Sequence, residues 1–268
     1  MYLSYYGMKC NPFDKSISTK DAFKSEDFNN SISRLEYLKE VKGLGLIIGS
    51  PGLGKTFMLR YFNESLNKDL YKVIYISPTS LSLFDFYKTI GRELNVDVGN
   101  CFKADLYDKI QKAIMRMVDE QRVSPIFIID DAHNLSREIL EEFKVLFDFE
   151  MDSMNYTTVI LVAHPTLKVE LAKDIYESLK QRLIVNYKFN GLDREEVKEY
   201  VKSRLEISGV TPEIFTPDAL NALYSCSKSS PRRLNSLVVS SLMIGSQKKS
   251  LKIDSEIVML AKGEIDIE

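Results

Sequence analysis

The sequence predicts an α/β protein, a parallel sheet flanked by helices, followed by a small all-helical domain. Three observations carry this reading. Short apolar runs alternate with longer segments of helical periodicity through the first 190 residues, the pattern of a doubly wound sheet. A glycine-rich turn, GSPGLGKT (49–56), follows the first of those runs directly and opens a helical pattern. After Gly191 the strand signal stops. The expected domains are therefore 1–190, with an N-terminal extension over 1–30, and a helical domain over 191–268.

The strands, in order, are GLGLIIG (43–49), YKVIYIS (71–77), PIFIID (125–130), TTVILVA (157–163) and LIVNYKF (183–189). Most read as continuous apolar runs and not as strict alternations, which is the signature of strands covered on both faces. Between them, Leu106, Ile110, Ile114 and Met117 recur at helical spacing, as do Ile139, Leu140, Phe143, Leu146 and Phe147. Both stripes are core faces of helices. Beyond Gly191, helices are expected over 193–207, 217–226, 231–246 and 254–262. Thr216 is the N-cap of the second, with Pro217 at its first position.

Composition narrows the class of function. The chain has 268 residues, 44% hydrophobic and 28% charged, an ordinary globular profile that can fill one large core or two smaller ones. A formal net charge of -2 neither demands nor excludes a nucleic-acid partner. From Ala219 to Ile253 there is no Asp or Glu, while Lys228, Arg232, Arg233, Lys248, Lys249 and Lys252 fall inside that stretch, so a local basic face is available. Cys10, Cys101 and Cys226 are widely spaced and odd in number. They provide neither a disulfide framework nor a metal pattern, and fit a reducing compartment. The N-terminus lacks the basic-then-apolar layout of a signal peptide, and LGLII and VILVA are too short to span a bilayer. The expectation is a cytoplasmic protein with no membrane partner.

GSPGLGKT meets every fixed position of the phosphate-binding loop G-x-x-x-x-G-K-[ST], in the strand-to-helix context that motif needs. Gly49, Gly52 and Gly54 let the backbone curl so that its N–H groups, with those of Ser50, Pro51's neighbours and Leu53, face phosphate oxygens. Lys55 is the candidate for the β- and γ-phosphates and Thr56 for Mg²⁺, with the helix N-terminus adding its partial positive charge. The cofactors implied are ATP and Mg²⁺. IFIIDDAHN (126–134) supplies the rest: an apolar strand runs into two adjacent carboxylates. Asp130 completes the Mg²⁺ site and Asp131 orients and deprotonates the attacking water.

At this point the order of motifs resembles the AAA+ ATPases over most of the chain. In that superfamily the residue after the Mg²⁺ aspartate is usually Glu, so Asp131 is a departure, one methylene shorter. Since about 1 Å of misplacement can cost on the order of 10²-fold in rate, slow hydrolysis is expected. By the resemblance, His164 in LVAHP occupies the slot of the polar γ-phosphate sensor, Arg182 in SLKQRLIV that of the arginine finger acting in trans, and Arg232 in SSPRRLN that of the lid sensor. Arg233 faces elsewhere, toward solvent or a polyanion. His133 reads as a local turn residue. The finger implies a homo-oligomer, a ring or a helical filament.

YYGMKCNPFD (5–14), IIDDAHNL, VAHPTL and LKQRL together resemble the ExeA-like branch, which includes secretion-associated ATPases and the ATPase subunits of TniB, TnsC and IstB type that accompany transposases. Secretion-type members carry a membrane segment and a cell-wall-binding extension, neither of which is read here. The resemblance therefore implies a transposition helper, an ATP-bound oligomer on duplex DNA that recruits or activates a transposase. Lys88, Arg92 and Lys103 after the second strand, with Arg233 in the basic lid, are the candidate DNA contacts, acting on backbone phosphates. Pro12 and Phe13 are the candidates for adenine. A secretion or assembly ATPase acting on a protein complex, and a nucleotide-switched scaffold with little turnover, are the rival readings.

Overall fold

The computed structural model describes residues 2–78, 81–99, 101–147, 149 and 155–266. The first half runs α1 (Tyr2–Tyr5), α2 (Glu26–Val41), β1 (Gly43–Gly49), α3 (Lys55–Ser65), β2 (Tyr71–Ile76), α4 (Leu83–Glu93), α5 (Lys103–Asp119) and β3 (Ser124–Ile129). It continues with α6 (Arg137–Leu146), β4 (Thr158–Ala163), α7 (Thr166–Leu171), α8 (Glu177–Gln181) and β5 (Leu183–Phe189). Four helices close the chain: α9 (Arg194–Ile207), α10 (Pro217–Ser227), α11 (Pro231–Gln247) and α12 (Ser255–Ile265). All five expected strands and all four C-terminal helices are present, with ends shifted by no more than three residues.

Packing divides the chain into two compact units. The sheet unit comprises Asn30–Ser50 and Met58–Phe189. Its strands lie in the order β2-β3-β4-β1-β5, every neighbouring pair parallel. Alternate residues feed opposite faces. Leu44, Leu46 and Ile48 of β1, Phe127 and Ile129 of β3, and Val159 and Leu161 of β4 join one core with Ile110, Ile114 and Phe143 of the helices. The intervening Ile47, Ile126, Ile128, Ile160 and Val162 are no more than 1% exposed as well. Burial of both parities is why these strands read as unbroken apolar runs. Gly45 has a packing reason: a Cβ there would stand 2.4 Å from Cδ2 of Leu38 in α2. Because β3, β4 and β1 are consecutive neighbours, their carboxyl ends bring Asp130, His164 and Gly49 to the same edge, where ligands of open α/β sheets bind.

The helical unit comprises Asn190–Glu268 together with Met1–Asn29 and the loop segment Pro51–Phe57. Its core, built on Leu205, Leu223, Leu237, Leu242 and Val258, includes Met8 and Phe13 of the N-terminal extension. Polar ties reinforce that inclusion. Asp27 Oδ2 accepts from the N–H groups of Asn190 and Gly191, the latter at 2.8 Å. Glu196 Oε1 accepts from the Glu26 N–H at 2.6 Å, and Tyr6 donates its hydroxyl to the Ser250 carbonyl at 2.9 Å. Arg204, only 3% exposed, donates Nη1–H to the Asp21 carbonyl at 2.9 Å and lies over the Tyr200 ring.

Side-chain oxygens open the helices as the sequence demands. Thr216 accepts from the Ala219 N–H, Ser230 from Arg233 and Asp254 from Ile257, while Asp193 and Glu196 form a reciprocal capping box. Gly191 is fixed more tightly than any cap. Its φ is +93°, and an added Cβ would fall 2.2 Å from the backbone oxygen of Ser229 and 2.8 Å from Leu53. Gly191→Ala is therefore predicted to destabilise the protein by about 2 kcal/mol or more, read as a lowered midpoint in thermal or urea unfolding. A midpoint equal to wild type would contradict that packing.

Candidate functional site

The glycine-rich loop is built by β1 and α3. Gly49 closes the strand, and the left-handed turns fall at Gly52 (φ +81°) and Gly54 (φ +104°), conformations that glycine adopts without steric cost. A Cβ at Gly54 would meet nothing within 4 Å, so the backbone there borders open space. Lys55 begins α3, and no acidic residue sits in that helix's first turn to offset its N-terminal dipole. Ser50, Pro51 and Thr56 are exposed, while Leu53 is buried and anchors the loop.

Gly52 is also where the helical unit grips the loop. Its carbonyl accepts from the Ser230 hydroxyl at 3.2 Å and from the Arg232 N–H at 3.1 Å. A Cβ on Gly52 would lie 2.7 Å from Ser230 Oγ and 3.0 Å from Arg232 Cβ. Arg232, in the first turn of α11 and exposed, thus stands directly against the loop.

In the sheet unit, the ends of β2, β3 and β4 assemble a second group. Asp130 is 4% exposed. Its Oδ1 accepts from the Asp131 N–H at 3.0 Å, and its Oδ2 accepts from the Tyr75 hydroxyl at 3.0 Å. Burial first, then the Asp130 charge and that hydrogen bond, push the Tyr75 phenol up to about 12, so it remains a proton donor throughout the physiological range. Asp131 has φ 56° and ψ 39°, a left-handed conformation in which Asp and Asn are several-fold enriched among non-glycine residues. Its side chain is exposed and caps nothing. His133 Nδ1 accepts from the His164 N–H at 3.4 Å, and the two rings are 5.9 Å apart. His164 Nδ1 lies 3.3 Å from the Thr166 hydroxyl.

Asp130, Asp131 and His164 therefore share the end of one sheet, with Tyr75, which the sequence left unassigned, bonded to Asp130, and His133, expected as a turn residue, bonded to His164. Tyr75 carried one weak signal, a polar aromatic alternating with buried Ile74 and Ile76. His133 carried none beyond its place in the turn. Arg182 caps the C-terminus of α8 immediately before β5, its N–H bonded to the Leu179 carbonyl at 3.2 Å.

The expected DNA contacts fare unevenly. Lys103 is paired with Glu142 at 2.9 Å, and that carboxylate also accepts from the Tyr87 hydroxyl. Arg233, expected to face solvent or a polyanion, is partly exposed but engaged within its own unit: Nε donates to the Cys226 carbonyl at 2.7 Å, and Nη2 is bonded to Asp266. Lys88 lies over the Phe84 ring, 4.3 Å from its centroid, leaving Arg92 exposed in the last turn of α4. Phe13, offered for adenine, is 5% exposed in the helical core, with Pro12 buried beside it. Among the described residues no cluster of three or more His, Cys, Asp or Glu side chains could hold a metal ion, and no helix is long and apolar enough to cross a membrane.

Residues 38–169 match the family model described as an AAA domain. The chain is 28% identical over 99% of its length to General secretion pathway protein A of Aeromonas hydrophila, and spans 48% of that protein. Among solved structures it resembles Cdc6p from Pyrobaculum aerophilum, with a TM-score of 0.70 at 18% identity, over 96% of this chain and 72% of that one. It also resembles the Aeropyrum pernix ORC1 protein in complex with DNA, with a TM-score of 0.65 at 16% identity, over 95% and 68%. The fold that these observations define is the P-loop AAA+ fold.

The Tyr75 contact yields a prediction. Groups that hold a metal-ligating carboxylate typically contribute 10- to 100-fold to metal affinity, so, should Asp130 ligate Mg²⁺, Tyr75→Phe is expected to raise the Mg²⁺ concentration needed for half-maximal nucleotide binding by about tenfold. An unchanged Mg²⁺ requirement would make the contact purely structural.

Proposed function

We propose that this protein binds ATP with Mg²⁺, hydrolyses it slowly, and passes the state of the nucleotide to its helical unit. The carrying observation is the Gly52 carbonyl held by Ser230 and Arg232, because the phosphate-binding loop and α11 then share hydrogen bonds. In this reading the backbone N–H groups of the loop from Gly52 to Thr56 and the Lys55 side chain hold the phosphates, and Arg232 adds a guanidinium to the same anion. Thr56 and Asp130, hydroxyl and carboxylate oxygens, suit Mg²⁺, which prefers hard oxygen donors. The ion neutralises charge on the phosphate oxygens when bound. Asp131 orients and deprotonates water, with His164 as polar sensor beside it. Arg182 serves a neighbouring copy in a homo-oligomer, where a planar, permanently charged guanidinium meets the charge building on the leaving phosphoryl.

Similarity to the secretion protein across nearly the whole chain favours a protein assembly as the client. A second reading, the transposition helper on duplex DNA that recruits or activates a transposase, is favoured by the acid-free stretch from Ala219 to Ile253. With Lys103 and Arg233 engaged internally, it rests on Lys88, Arg92 and the lysines of that stretch.

Turnover and DNA binding test these readings together. Wild type should hydrolyse ATP, Lys55→Ala should lose nucleotide binding, and Asp131→Asn should keep binding while losing on the order of 10²-fold or more in turnover. Asp131→Glu should raise turnover. No gain would mean that the left-handed turn already delivers the shorter carboxylate to the water. Duplex DNA binding that needs ATP and weakens steeply with salt selects the transposition reading, and indifference to DNA in every nucleotide state selects the protein client.

A further inference from the structure

A groove of about 950 Å³ lies in the sheet unit, at the opposite ends of the strands from Asp130. Its floor includes Tyr71, Lys72 and Val73, the first residues of β2. Among the described residues that strand is the outermost of the sheet and pairs only with β3, so beyond Tyr71, whose N–H is bonded to the Asn67 carbonyl at 3.0 Å, its other side offers backbone N–H and C=O groups for pairing. The rim is basic. Lys68 and Lys72 stand on one side, and Lys109, Lys112 and Arg116, at helical spacing on α5, stand on the other. Asp97 is the one carboxylate in the lining. Arg116 is paired with Glu120, and Lys109 is held by the Asp97 carbonyl and the Cys101 sulfur. Lys68, Lys72 and Lys112 have no carboxylate partner among the described residues.

Leu66, Val96 and Met117 add apolar surface between these charges. A duplex has no use for that surface, since its exposed backbone is phosphate and sugar. A single strand needs aromatic platforms for its bases, and Tyr71, whose ring is taken by Lys39 at 5.3 Å, is the only aromatic residue lining the groove. An extended peptide uses all three features at once: its backbone pairs with the strand edge, alternate apolar side chains enter the groove, and alternate carboxylates meet the lysines.

We propose that this groove is a docking site for an extended acidic segment of a partner protein, with acidic and apolar residues alternating, added to the sheet beside β2. The site is separate from the nucleotide residues and does not depend on the ATPase reading. The probe is a fluorescein-labelled ten-residue peptide of alternating Glu and Val, compared with polyglutamate of equal charge and with a 20-base-pair duplex, against wild type and the Lys72→Glu/Lys112→Glu double variant. The alternating peptide should bind wild type at least about tenfold more tightly than polyglutamate, and the double variant should weaken it by about tenfold or more. Amide hydrogen exchange of Tyr71–Ile76 should slow when that peptide is bound, and ATP turnover without peptide should be the same in both proteins. Equal binding of the peptide to both proteins would overturn the proposal. So would equal binding of peptide and polyglutamate, unchanged exchange in β2, or loss of duplex binding alone in the variant, which would assign the groove to nucleic acid.

Discussion

The carbonyl oxygen of Gly52 is the point on which the helical unit depends. One peptide oxygen accepts from the Ser230 hydroxyl and the Arg232 N–H, and both donors belong to the start of α11. Neutral hydrogen bonds of this kind are each worth about 1 kcal/mol net. That is strong enough to hold α11 against the loop and weak enough for a bound polyphosphate to rearrange. Two glycines are fixed by the arrangement: Gly52, whose Cβ would strike Ser230, and Gly191, whose Cβ would strike the Ser229 carbonyl. Ser229 and Ser230 thus reach the loop and the start of the helical segment from consecutive positions.

The end of the sheet follows a different logic. Asp130 is held by a backbone N–H on one oxygen and a phenol on the other, so its rotation is fixed before any ligand arrives. Asp131, one residue later, is exposed on a left-handed turn. The contrast separates the two carboxylates physically: one is buried and held through both oxygens, the other is exposed on a left-handed turn. The left-handed backbone also offers a reason for the shorter side chain, because aspartate tolerates that conformation better than glutamate does.

Much of this was legible in the chain. Unbroken apolar runs marked strands buried on both faces, Thr216-Pro217 marked a helix start to the residue, and GSPGLGKT placed a turn between β1 and α3 where the structure has it. Contacts between distant residues were not legible. That Tyr75 reaches Asp130 depends on β2 pairing with β3, which no local pattern encodes. The fate of Arg233 depends on Asp266, 33 positions away, and a run of basic residues looks the same in sequence whether its charges are solvated or paired. The N-terminal extension was assigned to the sheet part by its position in the chain, whereas Met8 and Phe13 pack among the C-terminal helices.

That packing has a consequence for the order in which the protein forms. Residues 1–29 leave the ribosome well before their partners, among them Glu196, Arg204 and Ser250, are synthesised. Domains generally fold as units during synthesis, so the sheet unit, whose residues end at Phe189, can be completed while the extension is still waiting. The helical unit can close only when residues 1–29 meet the helices that follow Asn190. Its assembly thus reports on synthesis past α12: a chain that stops before those helices leaves Met8 and Phe13 without a core to enter.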